Sequence, residues 1–144
     1  MAINRKSKNI TYNRKRNRVA IACVLEYLSK AENCHAQESY DKLGPDILIY
    51  EDSFRPSSHL LLRVQRNWEV DDFPFPTVRI FASEIDIMHN CSLPGALWIL
   101  RKDLNRAISI PDTSLDLRDL NPVEIDTRNW GQIDIAYFME NKGD

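Results

Sequence analysis

The chain has 144 residues, the commonest size of one domain, and its hydrophobic (43%) and charged (28%) fractions are ordinary for a globular protein. This composition excludes a chain that is disordered throughout. No apolar run approaches the roughly 20 residues of a membrane span, and Met1–Arg18 lack the apolar core of a secretory signal. We therefore expect a cytoplasmic protein with no membrane partner. The three cysteines form no C-x-x-C pair, which predicts neither a zinc site nor a disulfide framework.

Positive charge is concentrated at the N-terminus, although the net charge of the whole chain is −2. The first 18 residues carry seven basic side chains and no acidic one, whereas the remaining 126 carry 12 basic and 21 acidic side chains, a net −9. This asymmetry predicts a basic N-terminal arm over residues 1–16 that binds a polyanion such as DNA. The alternative is a solubilising segment without a ligand. The residues predicted to contact the DNA backbone are Arg5, Lys6, Lys8, Arg14, Lys15, Arg16, Arg18 and Arg66.

A first helix is predicted over about residues 17–31, with Asn13 or Asn17 as its N-terminal cap. Its main apolar stripe has helical spacing and consists of Ile21, Val24, Leu25 and Leu28. A second stripe on nearly the opposite side consists of Val19, Cys23 and Glu26, so we expect both sides of the helix to be covered. Glu26 then either faces a covered surface and needs a cation or hydrogen bonds, or marks the point where the stripe runs into solvent.

Three strand candidates follow. Cys34–Tyr40 is a weak one, and Asp46–Tyr50 is an apolar one that follows a Gly-Pro turn signal. His59–Trp68 returns as a third strand after a loop over residues 51–58. Because side chains alternate along a strand, its two faces are predicted as Leu60, Leu62 and Val64 on one side and His59, Leu61, Arg63, Gln65 and Asn67 on the other.

In the second half, a short strand is predicted at Val78–Phe81, followed by a helix capped by Ser83. Ala96–Leu100 is predicted as a buried strand that pairs with Ala107–Ile110, and Gln132–Met139 as a final strand or short helix. The acidic pairs Asp71-Asp72 and Glu84-x-Asp86 are interpreted as loop and helix-cap residues. Together the elements predict a single α/β domain over residues 17–144, with a central mixed β-sheet flanked by helices.

Three features in this order resemble the PD-(D/E)XK nuclease superfamily, the fold of many restriction enzymes. They are a helix with Glu26, a strand opening with Pro45-Asp46, and a strand with Arg63-Val64-Gln65. The resemblance covers about residues 17–68 and implies a restriction-endonuclease-like fold. The chain departs from the usual pattern, since Arg63 stands in the place of an acid and Gln65 in the place of a lysine. In having glutamine there, the chain is similar to a small bacterial intron-encoded homing endonuclease of this fold.

The resemblance implies a metal-dependent DNA endonuclease that hydrolyses phosphodiester bonds. Asp46 and Glu26 would bind Mg²⁺ or Mn²⁺, Gln65 would place the attacking water, and Arg63 would contact phosphate. The implied partner is double-stranded DNA, and cutting both strands implies a homodimer or homotetramer. Because arginine cannot ligate a metal, two alternatives stay open: a nuclease-fold protein without catalysis that binds nucleic acid, and one that binds a protein partner.

Overall fold

The computed structural model describes residues 16–31, 34–52, 54–119, 121–128 and 130–136. The secondary structure within them consists of two α-helices, eight strands and one 3-10 turn. In chain order these are α1 (Arg18–Ala31), β1 (His35–Glu38), β2 (Ile47–Tyr50), β3 (Pro56–Val64), β4 (Thr77–Ile80), α2 (Ala82–Asn90), β5 (Gly95–Leu100), β6 (Arg106–Pro111), the 3-10 turn (Asp112–Ser114), β7 (Val123–Asp126) and β8 (Gln132–Asp134).

The central sheet has six strands in the order β1-β2-β3-β5-β6-β8. Its neighbours are antiparallel except β3 and β5, which run parallel and are joined by a crossover that contains α2. Strands β4 and β7 form a separate two-stranded antiparallel sheet. The predicted class is therefore confirmed: the chain forms one small α/β domain with a mixed central sheet and two helices.

Helix α1 begins as predicted, because Asn17 Oδ1 accepts a hydrogen bond from the Ala20 backbone nitrogen at 2.9 Å. Its buried residues Ala20, Ile21, Val24, Tyr27 and Leu28 cover one face of the sheet. The expectation that both sides of the helix are covered was wrong. Val19 is 70% exposed and the Glu26 side chain is half exposed, because α1 is an outer layer with solvent on its far side.

The alternation predicted along the third strand is confirmed. Leu60 lies in a core with Ile47, Trp98 and the buried side of α1. Its neighbour Leu61 lies in a second core, on the other face of the sheet, with buried residues of α2. The two helices therefore cover opposite faces, and polar residues can converge only where strands end. Within the described ranges, neither helix is long and apolar enough to cross a membrane.

Several predicted boundaries needed correction. Strand β3 starts at Pro56, inside the predicted loop, and ends at Val64. Ser83 lies within α2 and does not cap it, since Phe81 holds the cap position and its backbone nitrogen donates to Glu84 Oε1 at 2.9 Å. Strand β7 was not predicted. The final strand is only Gln132–Asp134, and the predicted part from residue 137 lies outside the described residues.

His59 on β3 is fully buried. Its Nδ1 donates to the Leu93 carbonyl at 3.1 Å, and its Nε2 has no partner in the described chain. Burial lowers the pKa of His59, and the Leu93 carbonyl and the charge of Asp112 offset only part of this effect.

We expect the free energy of unfolding to decrease as the pH falls below about 6.5, the ordinary histidine pKa. The unfolded state takes up the proton there, whereas folded His59 stays neutral until its lower pKa is reached, so the stabilisation present above pH 6.5 is lost between the two values. Urea unfolding at steps from pH 8 to pH 5 measures the slope. His59→Gln should reduce the slope of the unfolding free energy against pH, whereas His35→Gln, at an exposed histidine, should leave it unchanged. Equal slopes in all three proteins would show that His59 is not the cause.

Candidate functional site

Polar residues converge at the end of the sheet where β3 and β5 finish. Asp46 immediately precedes β2, which runs antiparallel to β3, so Asp46 lies at the same end as Gln65, which follows β3. Gln65 remains tied to the sheet through its backbone nitrogen, which donates to the Leu100 carbonyl at 2.8 Å. Arg16, just before α1, reaches this end as well, because it contacts Asp46.

Asp46 is 1% exposed, and its carboxylate joins the second and third strands. Oδ2 accepts a hydrogen bond from the Leu62 backbone nitrogen at 2.7 Å, and the Asp46 backbone nitrogen donates to the Leu60 carbonyl at 3.0 Å. Oδ1 lies 3.6 Å from Arg16 Nε. The Asp46 carboxylate therefore has a guanidinium and a backbone N–H as partners.

Arg16 binds the turn between β1 and β2. Its guanidinium donates to the carbonyls of Ser39, Asp41 and Pro45, the last at 3.1 Å. It also lies 3.8 Å from Glu38, and its side chain is only 13% exposed. Sequence reasoning assigned Arg16 to the DNA backbone, but its hydrogen bonds here are made within the protein.

Arg63 is held by a buried ion pair with Glu84 of α2. Arg63 Nε donates to Glu84 Oε2 at 2.8 Å and Nη2 donates to Oε1 at 2.6 Å, the two-pronged geometry that favours arginine over lysine. Nη2 also donates to the Arg79 carbonyl at 2.7 Å, and the guanidinium carbon lies 4.5 Å from the centre of the Phe81 ring. The Arg63 guanidinium is thus neutralised by an acid from the following helix, α2.

Both ends of the Gln65 amide are engaged. Its Oε1 accepts from Arg63 Nη1 at 3.1 Å and its Nε2 donates to Asn67 Oδ1 at 2.7 Å. The structure therefore brings Gln65 and Arg63 together. Asp46 lies further from Gln65, because it binds the backbone of Leu62. Leu62 precedes Gln65 by three residues, which is about 10 Å along an extended strand.

Glu26 takes a different position from the other predicted catalytic residues. It pairs with Lys30 one turn later on α1, at 2.8 Å, on the solvent side of the helix. It lies eight residues beyond Arg18, or about 12 Å along the helix axis, whereas the start of the helix is next to the sheet end described above.

The side chains, as they are arranged, do not fit the predicted Mg²⁺ or Mn²⁺ site. A hard cation needs several oxygen ligands at roughly 2.0–2.6 Å. At Asp46 the Arg16 guanidinium lies 3.6 Å from Oδ1 and supplies a positive charge beside the carboxylate, and the Gln65 carbonyl oxygen is bound by Arg63. Among the described residues, no three His, Cys, Asp or Glu side chains are grouped closely enough to hold a metal.

Two exposed cations at this end have no ion pair within the described chain. Arg66 lies in the turn after β3, and Lys42 lies in the turn that Arg16 contacts. Arg18 is also exposed, although it lies 3.5 Å from Glu38. The other basic residues predicted to contact DNA lie outside the described residues: Arg5, Lys6, Lys8, Arg14 and Lys15.

Sequence reasoning missed Lys42 and the role of Glu84. Lys42 had no periodic or motif signal. Glu84 could have been found from the parity of β3, because an arginine that faces inward requires an acid nearby, and the predicted helix-cap role of Glu84 accounts for only one of its three contacts.

No family model matches this chain, and none of the curated proteins matches it.

Proposed function

We propose that this chain binds double-stranded DNA through its basic N-terminal segment and the exposed cations beside it, and that it does not cut DNA at Asp46 and Gln65. The observation that carries the proposal is the pair of internal arginine contacts: Arg16 to Asp46 and Arg63 to Glu84. Arg16 lies beside the carboxylate of Asp46, and Arg63, which Glu84 holds, binds the carbonyl oxygen of Gln65.

The binding surface follows from where the basic segment joins the fold. Residue 15 is bonded to Arg16, and Arg16 is tied to the turn that carries Lys42. The basic segment therefore meets the fold at the sheet end that also presents Arg66. The rest of the chain carries a net charge of −9, so positive charge is concentrated at this end. Contacts of this kind give affinity that falls steeply with salt and depends little on base sequence.

The proposal that DNA is not cut rests on the partners that the predicted catalytic side chains already have within the protein. Asp46 has a cation and an N–H donor, Glu84 has the Arg63 fork, and both ends of the Gln65 amide are bound. A metal entering here must displace a guanidinium from a buried carboxylate, which leaves that guanidinium without its partner. The metal-dependent endonuclease expected from the resemblance stays a prediction that the plasmid assay below tests, and the implied homodimer or homotetramer stays a prediction.

We expect Arg66→Ala to weaken binding of a 25-base-pair duplex and to reduce the slope of log affinity against log salt by about 1, because one phosphate contact is lost. Fluorescence anisotropy across a salt series measures both quantities. Arg55→Ala is the matched control: Arg55 is also exposed and without an acidic partner in the described chain, but it precedes β3, at the opposite end of the sheet. Equal effects of the two variants would contradict the proposed surface.

Incubation of supercoiled plasmid with the protein and Mg²⁺ or Mn²⁺ tests the second half of the proposal. We expect no nicking at any ratio at which the plasmid is bound. Nicking by the wild-type protein that Asp46→Asn abolishes would overturn this half and establish the endonuclease. Absence of salt-sensitive duplex binding would instead overturn the first half and favour a protein partner.

A further inference from the structure

A cleft of about 350 Å³ lies between the proline-rich loop that precedes β4 and the segment that joins β7 to β8. Three aromatic residues line it: Phe73, Phe75 and Trp130. It is separate from the polar sheet end described above, and neither the proposed function nor the resemblance uses it. Its volume is in the range of small-ligand sites in proteins.

The side of the cleft that Phe73 and Phe75 form is fixed in place. The rings of Phe73 and Phe75 meet edge to face with centroids 5.3 Å apart, and the buried Trp68 supports Phe73 from behind at 5.0 Å. Thr127 ties the loop to β7, since its Oγ1 donates to the Phe75 carbonyl at 2.6 Å and its nitrogen donates to the Pro76 carbonyl at 3.0 Å. The cleft is therefore preformed and keeps partly exposed ring surface.

Two hydrogen-bond donors accompany these rings. Gln132 Oε1 accepts from the Phe73 backbone nitrogen at 3.2 Å, which sets the orientation of the amide and leaves its Nε2 as a donor. In the part of the chain that the structure describes, neither Gln132 Nε2 nor Trp130 Nε1 donates to a protein group. Both groups are therefore available to a ligand with ring or carbonyl acceptors.

The charges around the cleft balance one another. Arg128 donates to both carboxylate oxygens of Asp126, and this contact lowers the pKa of Asp126 to about 2, so the pair stays ionised at every physiological pH. Arg106 lies 3.5 Å from Asp72 on the other side. With each cation matched by an acid, the cleft suits an uncharged ring better than a phosphate.

From these contacts we propose that the cleft binds one unpaired nucleobase. Flat rings with acceptor atoms stack on aromatic side chains and pair with the donors of Gln132 and Trp130. The proposal rests on the proposed function, because DNA held at the basic sheet end would supply the base from a single-stranded region or by turning one base out of the duplex. Stacking on protein aromatics is worth about 1–3 kcal/mol per base, a gain in affinity of at least 5-fold.

The test compares a labelled 12-nucleotide single strand with an oligomer of the same length made of abasic sites, which keeps the phosphates and removes the bases. We expect the wild-type protein to prefer the strand with bases at least 5-fold by anisotropy. Phe75→Ala should remove this preference and leave the abasic affinity unchanged. Phe54→Ala, at an exposed phenylalanine in the loop between β2 and β3, should keep it. If Phe75→Ala fails to fold, Gln132→Glu takes its place in the test. This change keeps the acceptor for Phe73 and removes the donor, so we expect it also to remove the preference for the strand with bases.

The outcomes separate the two proposals. Equal affinity for both oligomers in the wild-type protein, together with salt-sensitive duplex binding, would overturn the cleft assignment alone. If no oligomer and no duplex binds, the proposed function fails. Binding to the cleft is then tested with free adenosine and uridine. Quenching of tryptophan fluorescence by these nucleosides, lost in Trp130→Phe, would support it. No quenching, or quenching only by a proline-rich peptide, would overturn it.

Discussion

In a variant with Glu84 replaced by glutamine, the free energy of unfolding is expected to fall by about 3–5 kcal/mol, because Arg63 keeps a buried charge without a carboxylate beside it. The two side chains are only 13% and 8% exposed, so solvent cannot replace the lost partner. Glutamine can still accept a hydrogen bond from the Phe81 nitrogen, so the variant removes the charge and keeps the helix cap. Urea unfolding of the purified variant measures the change.

The control for this variant is Glu124→Gln. The Arg79–Glu124 pair has a separation of 3.5 Å, and both of its side chains are more than half exposed, so its loss should cost less than about 1 kcal/mol. The double variant Arg63→Met with Glu84→Leu should be more stable than Glu84→Gln alone, because it removes both charges together. A Glu84→Gln effect as small as that of the control would show that water reaches Arg63.

The parts of the fold with a short-range signal were predicted well. Helix α1 has both an asparagine cap and an apolar stripe, and the buried strands β2 and β5 are apolar runs next to turn residues. Strand β7 was missed because its residues are mostly exposed and its partner β4 is more than 40 residues earlier in the chain. Pairing at that separation depends on the tertiary fold, which local pattern does not specify.

The candidate site shows the same difference between features that a local pattern predicts and features that depend on the tertiary fold. Parity along β3 correctly placed Arg63 and Gln65 on one face, and that is a property of the strand itself. The partners of these residues could not be predicted in the same way. Glu84 comes from the helix after β4, and Arg16 was assigned to a DNA-binding arm although its guanidinium binds three backbone carbonyls. An inward-facing arginine on a strand is therefore a reason to search for its acid on the next helix.

A methyl group at position 95 is expected to destabilise the protein by about 3 kcal/mol, the upper end of the usual cost of overpacking. In Gly95→Ala the new Cβ would lie well under 3.0 Å from the His59 ring and from the His59 carbonyl oxygen. The ring is fully buried, and the carbonyl belongs to β3, which pairs with β5 at this register. Neither neighbour can move without disturbing the parallel pairing of β3 and β5.

Gly131→Ala is the matched control, because a Cβ there meets no described atom within 4 Å apart from its chain neighbours, and neither glycine has a positive φ that would strain alanine. We expect Gly131→Ala to change the free energy of unfolding by less than about 0.5 kcal/mol in urea titrations. The double variant His59→Ala with Gly95→Ala should recover only part of the loss, since the carbonyl oxygen still opposes the methyl group. Full recovery would show that the imidazole alone fixes the approach of β5 to β3, and no loss in Gly95→Ala would show that the two strands lie further apart at His59.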